Sequence, residues 1–128
     1  MSNVDLPGFL AGLEARESAL KDARAACEKH LVAVQKIMRA HDLGFGYRVA
    51  EEVVRYQAFT TAHLAAGAAD VIDDLMVQKV LLKLRGGERQ RPLLTGVGRA
   101  LNGLPRSQAF VAKLTADLDE FGSFQASR

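Results

Sequence analysis

The sequence is short of several things that functions depend on. It has no Trp, only 6% aromatic residues and only one cysteine, Cys27, in 128 residues. Scarce aromatics leave little material for base-stacking platforms of the single-strand-binding kind. One cysteine excludes an internal disulfide and any cysteine-rich zinc module, which points to an intracellular, cytoplasmic protein. Neither sign of charge dominates: 17 Lys+Arg stand against 15 Asp+Glu, a net charge of +2, which is no nucleic-acid signature. No apolar run approaches the ~18 residues of a membrane span. The stretch Met1 to Leu10 is interrupted by Asp5 and Pro7 and lacks the basic start of an export signal.

Motifs are missing too. There is no Gly-x-x-x-x-Gly-Lys-[Ser/Thr] loop to cradle phosphate. Gly44-Phe45-Gly46 and Gly96-Val97-Gly98 lack the third glycine and the preceding strand of a dinucleotide fingerprint. His30, His41 and His63 do not share a helical face at i, i+3 or i+4, and no cysteine or carboxylate completes a metal set. Cys27 falls on an apolar seam, where a small buried hydrophobe is expected and not a reactive thiolate. Val71-Ile72-Asp73-Asp74 imitates the acidic end of a magnesium-binding strand, but it lies in helical periodicity, so its acids are expected as first-turn charges.

What is present is helix. With 48% hydrophobic and 25% charged residues, the composition is that of one globular domain. Phe9 to Ala40 holds strong helix formers and only Gly12 as a breaker, so one long helix is expected. Its seam is Leu13, Leu20, Cys27 and Val34, with Leu10, Leu31 and Met38 on the adjoining row. The cluster Asp42 to Gly46 ends it. A second helix is expected from about Tyr47 to Leu64, followed by a small-residue run, Ala65 to Ala69, read as a turn or a close helix crossing.

Asp70 to Leu84 is expected as a central helix with a thin polar stripe of Asp73, Asp74, Gln78 and Lys79. Acids at its start, bases at its end and Gly86-Gly87 as a stop suit the helix dipole and the C-cap preference. After the polar loop Glu88 to Arg91, Pro92 opens a short helix, Leu93 to Leu101. Ser107 is the expected N-cap of a last helix, Gln108 to Phe121. No stretch alternates with period two. The fold class is therefore all-α with about five helices, a long N-terminal helix leading into a small helical bundle. Residues 1–29 form a candidate partner-pairing segment and residues 30–128 the helical domain proper.

Three stretches together resemble one family. They are Leu43-Gly44-Phe45-Gly46-Tyr47-Arg48-Val49-Ala50-Glu51-Glu52-Val53-Val54-Arg55-Tyr56, then Val77-Gln78-Lys79-Val80-Leu81-Leu82-Lys83-Leu84-Arg85-Gly86, then Leu104-Pro105-Arg106-Ser107 with Phe121-Gly122-Ser123-Phe124. Their order and spacing resemble the C-terminal helical region, or lid, of McrB-type AAA+ NTPases of restriction and defence systems, from about His30 to Arg128. One departure is Leu82, where that family usually carries proline, which implies a longer, straighter helix here. Another is that the large α/β NTPase subdomain that precedes the lid in that family is missing from this chain.

The resemblance implies a lid that acts in nucleotide sensing and subunit assembly and has no catalytic activity alone. Arg48, after Gly46-Tyr47, matches the sensor arginine that reaches the nucleotide's phosphates. The alternative role for Arg48 is a surface ion pair with Glu51 or Glu52. Phe45 and Tyr47 are expected to staple their loop to the core. Arg89 and Arg91 are candidates for phosphate or subunit contact in a ring. The implied partners are a P-loop NTPase subdomain or subunit, further copies in a ring, and a nuclease subunit, with DNA reached only indirectly and no membrane. ATP or GTP with Mg would enter only in the complete assembly, and the lid itself holds no cofactor or metal.

Two other functions fit the residues. One is a stand-alone interaction or self-association module using the seam of the first helix. The other is a helical DNA-binding protein acting through Lys79 to Arg106, which holds seven basic residues against Glu88 alone.

Overall fold

A computed structural model describes residues 5–63 and 67–127. It is all-α apart from one small ribbon. Its α-helices are α1 (Leu6–Arg16), α2 (Lys21–Arg39), α3 (Tyr47–His63), α4 (Ala68–Leu75), α5 (Arg91–Ala100) and α6 (Pro105–Phe121). The ribbon pairs β1 (Arg85–Gly87) with β2 (Ser123–Gln125), antiparallel, with Gly86 opposite Phe124.

The single helix expected over 9–40 is two helices. Asp5 caps α1 by accepting from the Gly8 N–H at 2.7 Å. The helix stops at Glu17, whose backbone (φ −137°, ψ 89°) is not helical, and a 3₁₀ turn, Ser18–Leu20, leads into α2. The break lets α1 fold back onto α2 and α3. Arg55 on α3 then grips the carboxylate at the break, with Nη1 to Glu17 Oε2 at 2.9 Å, and holds Glu51 on its own helix at 2.8 Å.

All of the seam is buried: Leu10, Leu13, Leu20, Cys27, Leu31, Val34 and Met38 lie in one core with Ile72, Met76, Leu84, Leu94 and Leu104. Helix α2 packs against α1, α3, α4 and α5. Lys29 and His30, where the two segments were expected to divide, are neighbours inside it. Gly96 keeps α5 close to α2, since a Cβ there would lie 3.1 Å from Ile37 Cγ2.

The central helix is also not uniform. Helix α4 ends at Leu75 and passes into one wide π turn, Met76–Val80, and then a 3₁₀ turn, Leu81–Lys83. Leu82 therefore lies in a tightened turn and not in the longer, straighter helix its presence implied. The change of winding keeps Met76, Val80, Leu81 and Leu84 in the core. Leu64, Ala65 and Ala66 lie outside the described residues; Gly67 precedes α4, and Ala68 and Ala69 begin it.

Helix α6 starts three residues earlier than expected, because its cap comes from another helix. Asp73, only 3% exposed, accepts from the Arg106 N–H at 2.8 Å and the Ser107 N–H at 2.7 Å. Ser107 is buried within the first turn and donates its hydroxyl to the Asp73 carbonyl at 3.0 Å. It is not the N-cap, and Asp73 is not a surface charge. Gly122 (φ +79°) ends α6 in the left-handed region and turns the chain into β2.

Candidate functional site

The loop between α2 and α3 is held by a buried amide. Gln35 Nε2 donates to the Phe45 carbonyl at 2.6 Å, and the Phe45 N–H donates to Gln35 Oε1 at 3.1 Å. This two-bond clamp treats Phe45 as a neighbouring strand would and sets its ring in the core, 5% exposed. Gly44 (φ +155°) passes directly over the clamp, where a Cβ would sit 3.0 Å from Gln35 Oε1, so a side chain is excluded by space as well as by backbone. The Gly46 carbonyl then accepts from Val49 and Ala50 to open α3. Tyr47 stacks on Phe9 of α1, centroids 4.7 Å apart and 12° between planes. Two aromatic rings and one amide thus fix where α3 begins.

Arg48 projects from that fixed first turn. It is exposed, and no ion pair or hydrogen bond engages its side chain among the described residues. Neither glutamate one turn on is its partner: Glu51 is held by Arg55 at 2.8 Å, and Glu52 faces Lys79 at 3.6 Å. A cation at the positive end of its own helix, with nearby acids already engaged, is left for an anion from outside. On a helix of 3.6 residues per turn, Arg48 shares an arc of about 80° with Glu52, Tyr56, Phe59 and His63. Tyr56 and Phe59 on that face are 48% and 57% exposed.

Arg89 and Arg91 are not brought together in one role. Arg91 is committed within the molecule, donating to Glu88 (Nη2 to Oε1, 2.9 Å) and to Asp119 of α6 (2.8 Å). These bonds raise its pKa and hold the Glu88 carboxyl below its usual range. Arg89 is exposed and has no ion pair among the described residues. It lines a shallow groove with Pro92, Thr95 and Arg99.

Among the described residues no three of His, Cys, Asp and Glu are grouped to hold a metal. His30 is 3.4 Å from the Asn102 carbonyl, and His63 lies against Phe59. Burial pushes the Cys27 thiol up to about 12, so it stays protonated and unreactive at neutral pH. Sequence reasoning missed Gln35 and Asp73. The signal for Gln35 was a polar residue among the buried row of α2. For Asp73 it was an acid between Ile72 and Leu75 in the most apolar helix.

No helix among the described residues is long and apolar enough to cross a membrane. Residues 9–124 match the family model described as Domain of unknown function (DUF8727). No curated protein and no solved structure matches the chain.

Proposed function

We propose, for a chain that belongs to the DUF8727 family, that it is a lid-like helical module of an McrB-like AAA+ NTPase. It acts in nucleotide sensing and subunit assembly of a DNA restriction or defence complex, and it catalyses nothing alone. The observation that carries this reading is Arg48: a guanidinium on a firmly seated helix start, without an ion pair or hydrogen bond among the described residues, facing outward. A guanidinium presents a planar fork of donors suited to phosphate oxygens, and its contact changes when the terminal phosphate departs. The exposed Tyr56 and Phe59 on the same face of α3 support a role beside another subunit, since aromatic side chains anchor protein interfaces. ATP or GTP with Mg belongs to the P-loop subunit; this chain's part is to cover it and to report its phosphate through Arg48.

The test is reconstitution with an McrB-like P-loop NTPase subunit. The chain alone is expected to hydrolyse neither ATP nor GTP, and turnover is expected in the mixture. Arg48→Ala should lower that turnover at least about tenfold, the factor for losing one charge-assisted contact of about 1.4 kcal/mol. Its unfolding midpoint should stay at the wild-type value, because the exposed side chain makes no ion pair or hydrogen bond among the described residues. Unchanged turnover in the variant removes Arg48 from the mechanism.

A further inference from the structure

The seven bases between Lys79 and Arg106 divide sharply once their partners are known. Lys79 faces Glu52, Arg91 is bound by Glu88 and Asp119, and Arg106 is bound by Asp74. Lys83, Arg85, Arg89 and Arg99 are exposed and have no ion pair among the described residues. The positive field of this segment therefore comes from the four uncommitted bases, three of which, Lys83, Arg85 and Arg89, lie on β1 or within two residues of it.

Strand β1 places Arg85 in the wall of an open cleft of about 860 Å³ between the α2–α3 loop, the ribbon and the end of α6. Phe121, the last residue of α6, lines the same cleft and is 68% exposed. A Phe side chain gains about 1.5–3 kcal/mol by burial. Phe124, three residues on, takes that gain at 4% exposure, whereas Phe121 remains in water. Gly86 (φ +157°) and Gly122 (φ +79°) set the backbone at either side, and a Cβ on Gly86 would lie 2.8 Å from Gln90. The free guanidinium thus stands on a shaped ribbon and the exposed ring on the helix end that leads into it, not on a loose tail. Asp42 and Asp117 line the cleft as well, and neither has an ion pair among the described residues.

We propose that this cleft binds a nucleobase carrying a phosphate, presented as an unpaired base of a single strand. Phe121 stacks on the base and Arg85 meets the phosphate. Stacking on one ring beside a free cation is the chemistry of single-strand binding on the scale of one nucleotide, and it needs one aromatic where an extended platform needs several. The carboxylates of Asp42 and Asp117 accept hydrogen bonds only, so they can take an exocyclic amine or a ring N–H of the base; the preference for purines comes from the larger face that adenine offers to the Phe121 ring. A volume within the ~300–1,000 Å³ of small-ligand sites suits one nucleotide and not a duplex groove. This site is separate from Arg48 and does not depend on its role.

Fluorescence anisotropy of the full chain with labelled oligo-dA, oligo-dT and duplex DNA at low salt tests it. Oligo-dA should bind more tightly than oligo-dT and than duplex. Phe121→Ala should weaken binding about tenfold or more, the loss of one stacked base. Arg85→Ala should also lower the slope of log affinity against log salt by about 0.7, the single-strand value for one phosphate. Arg16→Ala removes an equal charge from α1 and should leave the binding as it is. Unchanged circular dichroism and melting of the two cleft variants, both at exposed positions, assign their losses to binding. Displacement of oligo-dA by AMP but not UMP identifies a free nucleotide as a source of the same chemistry; binding of the strand alone identifies nucleic acid. Absence of binding, preference for duplex, or wild-type affinity in Phe121→Ala overturns the proposal.

Discussion

Asp73 shows how far one side chain's role can lie from its appearance in sequence. Between Ile72 and Leu75, next to Asp74, it reads as a first-turn acid on a helix surface. In the structure it is buried and spends both carboxylate oxygens on the first N–H groups of α6, so it joins two helices separated by the whole of α5. A helix start carries N–H groups without intrahelical partners, and a buried start must be capped by something. Asp73→Ala leaves two such donors unpaired, that of Ser107 in the core, and should cost about 2–3 kcal/mol in urea denaturation, the upper end for a lost buried cap. Asp73→Asn should also destabilise, because a carboxamide has one accepting oxygen where two donors wait. Asp74→Asn, which loosens only the exposed pair with Arg106, should shift stability by no more than about 0.5 kcal/mol.

At the scale of elements, most helices were legible because long runs of helix formers with one apolar face admit few other folds. The core was legible in the first seam, where every assigned residue is buried, but not throughout α3 and α6, where helical spacing would also bury Tyr56 and Phe121 and both are exposed. What sequence did not show is where tertiary contacts reset the boundaries. Residues 16–20 contain no Gly or Pro, so propensity alone continues the helix; the break pays for itself through the return of α1 onto α3 and the Arg55 grip on Glu17. The ribbon escaped notice because three-residue strands are too short to show a period and two of β1's residues are glycines. At the candidate site, the position and freedom of Arg48 could be anticipated only in part: its place at a helix start was readable, but the engagement of Glu51 and Glu52 elsewhere was not.

The break also makes a pH prediction. Hydrogen bonding to Arg55 lowers the Glu17 pKa below its ordinary 4.5. A carboxylate with a depressed folded pKa adds stability above its unfolded pKa, and loses it as pH falls through the folded value. The melting-temperature gap between wild type and Glu17→Gln should therefore be present at pH 7, shrink below pH 4.5 and close in stronger acid. High salt should narrow it at pH 7, since the pair is exposed. A gap independent of pH would place the role of Glu17 in the uncharged packing and hydrogen bonding of its side chain and not in its charge.

For the molecule as a whole, the decisive question is whether the first helix is an arm or part of the body. An arm reserved for a partner would leave its apolar seam in water until the partner arrives. Here Leu6, Leu10, Leu13, Leu20 and Cys27 are all buried by other helices of the same chain, and the matched family region also begins within α1, at residue 9. Burial of each leucine is worth about 1.5–3 kcal/mol, and a domain of this size is stable by only about 5–15 kcal/mol. Removal of residues 1–29 takes away four such leucines, severs α2 in its middle and uncovers the face of α3 on which α1 packs. The truncated chain should lose cooperative thermal unfolding and bind hydrophobic dyes, even though all three stretches that resemble an NTPase lid remain in it. A truncated chain that melts in one sharp transition near the wild-type temperature would show instead that the body begins within α2 and that α1 is free to serve a partner.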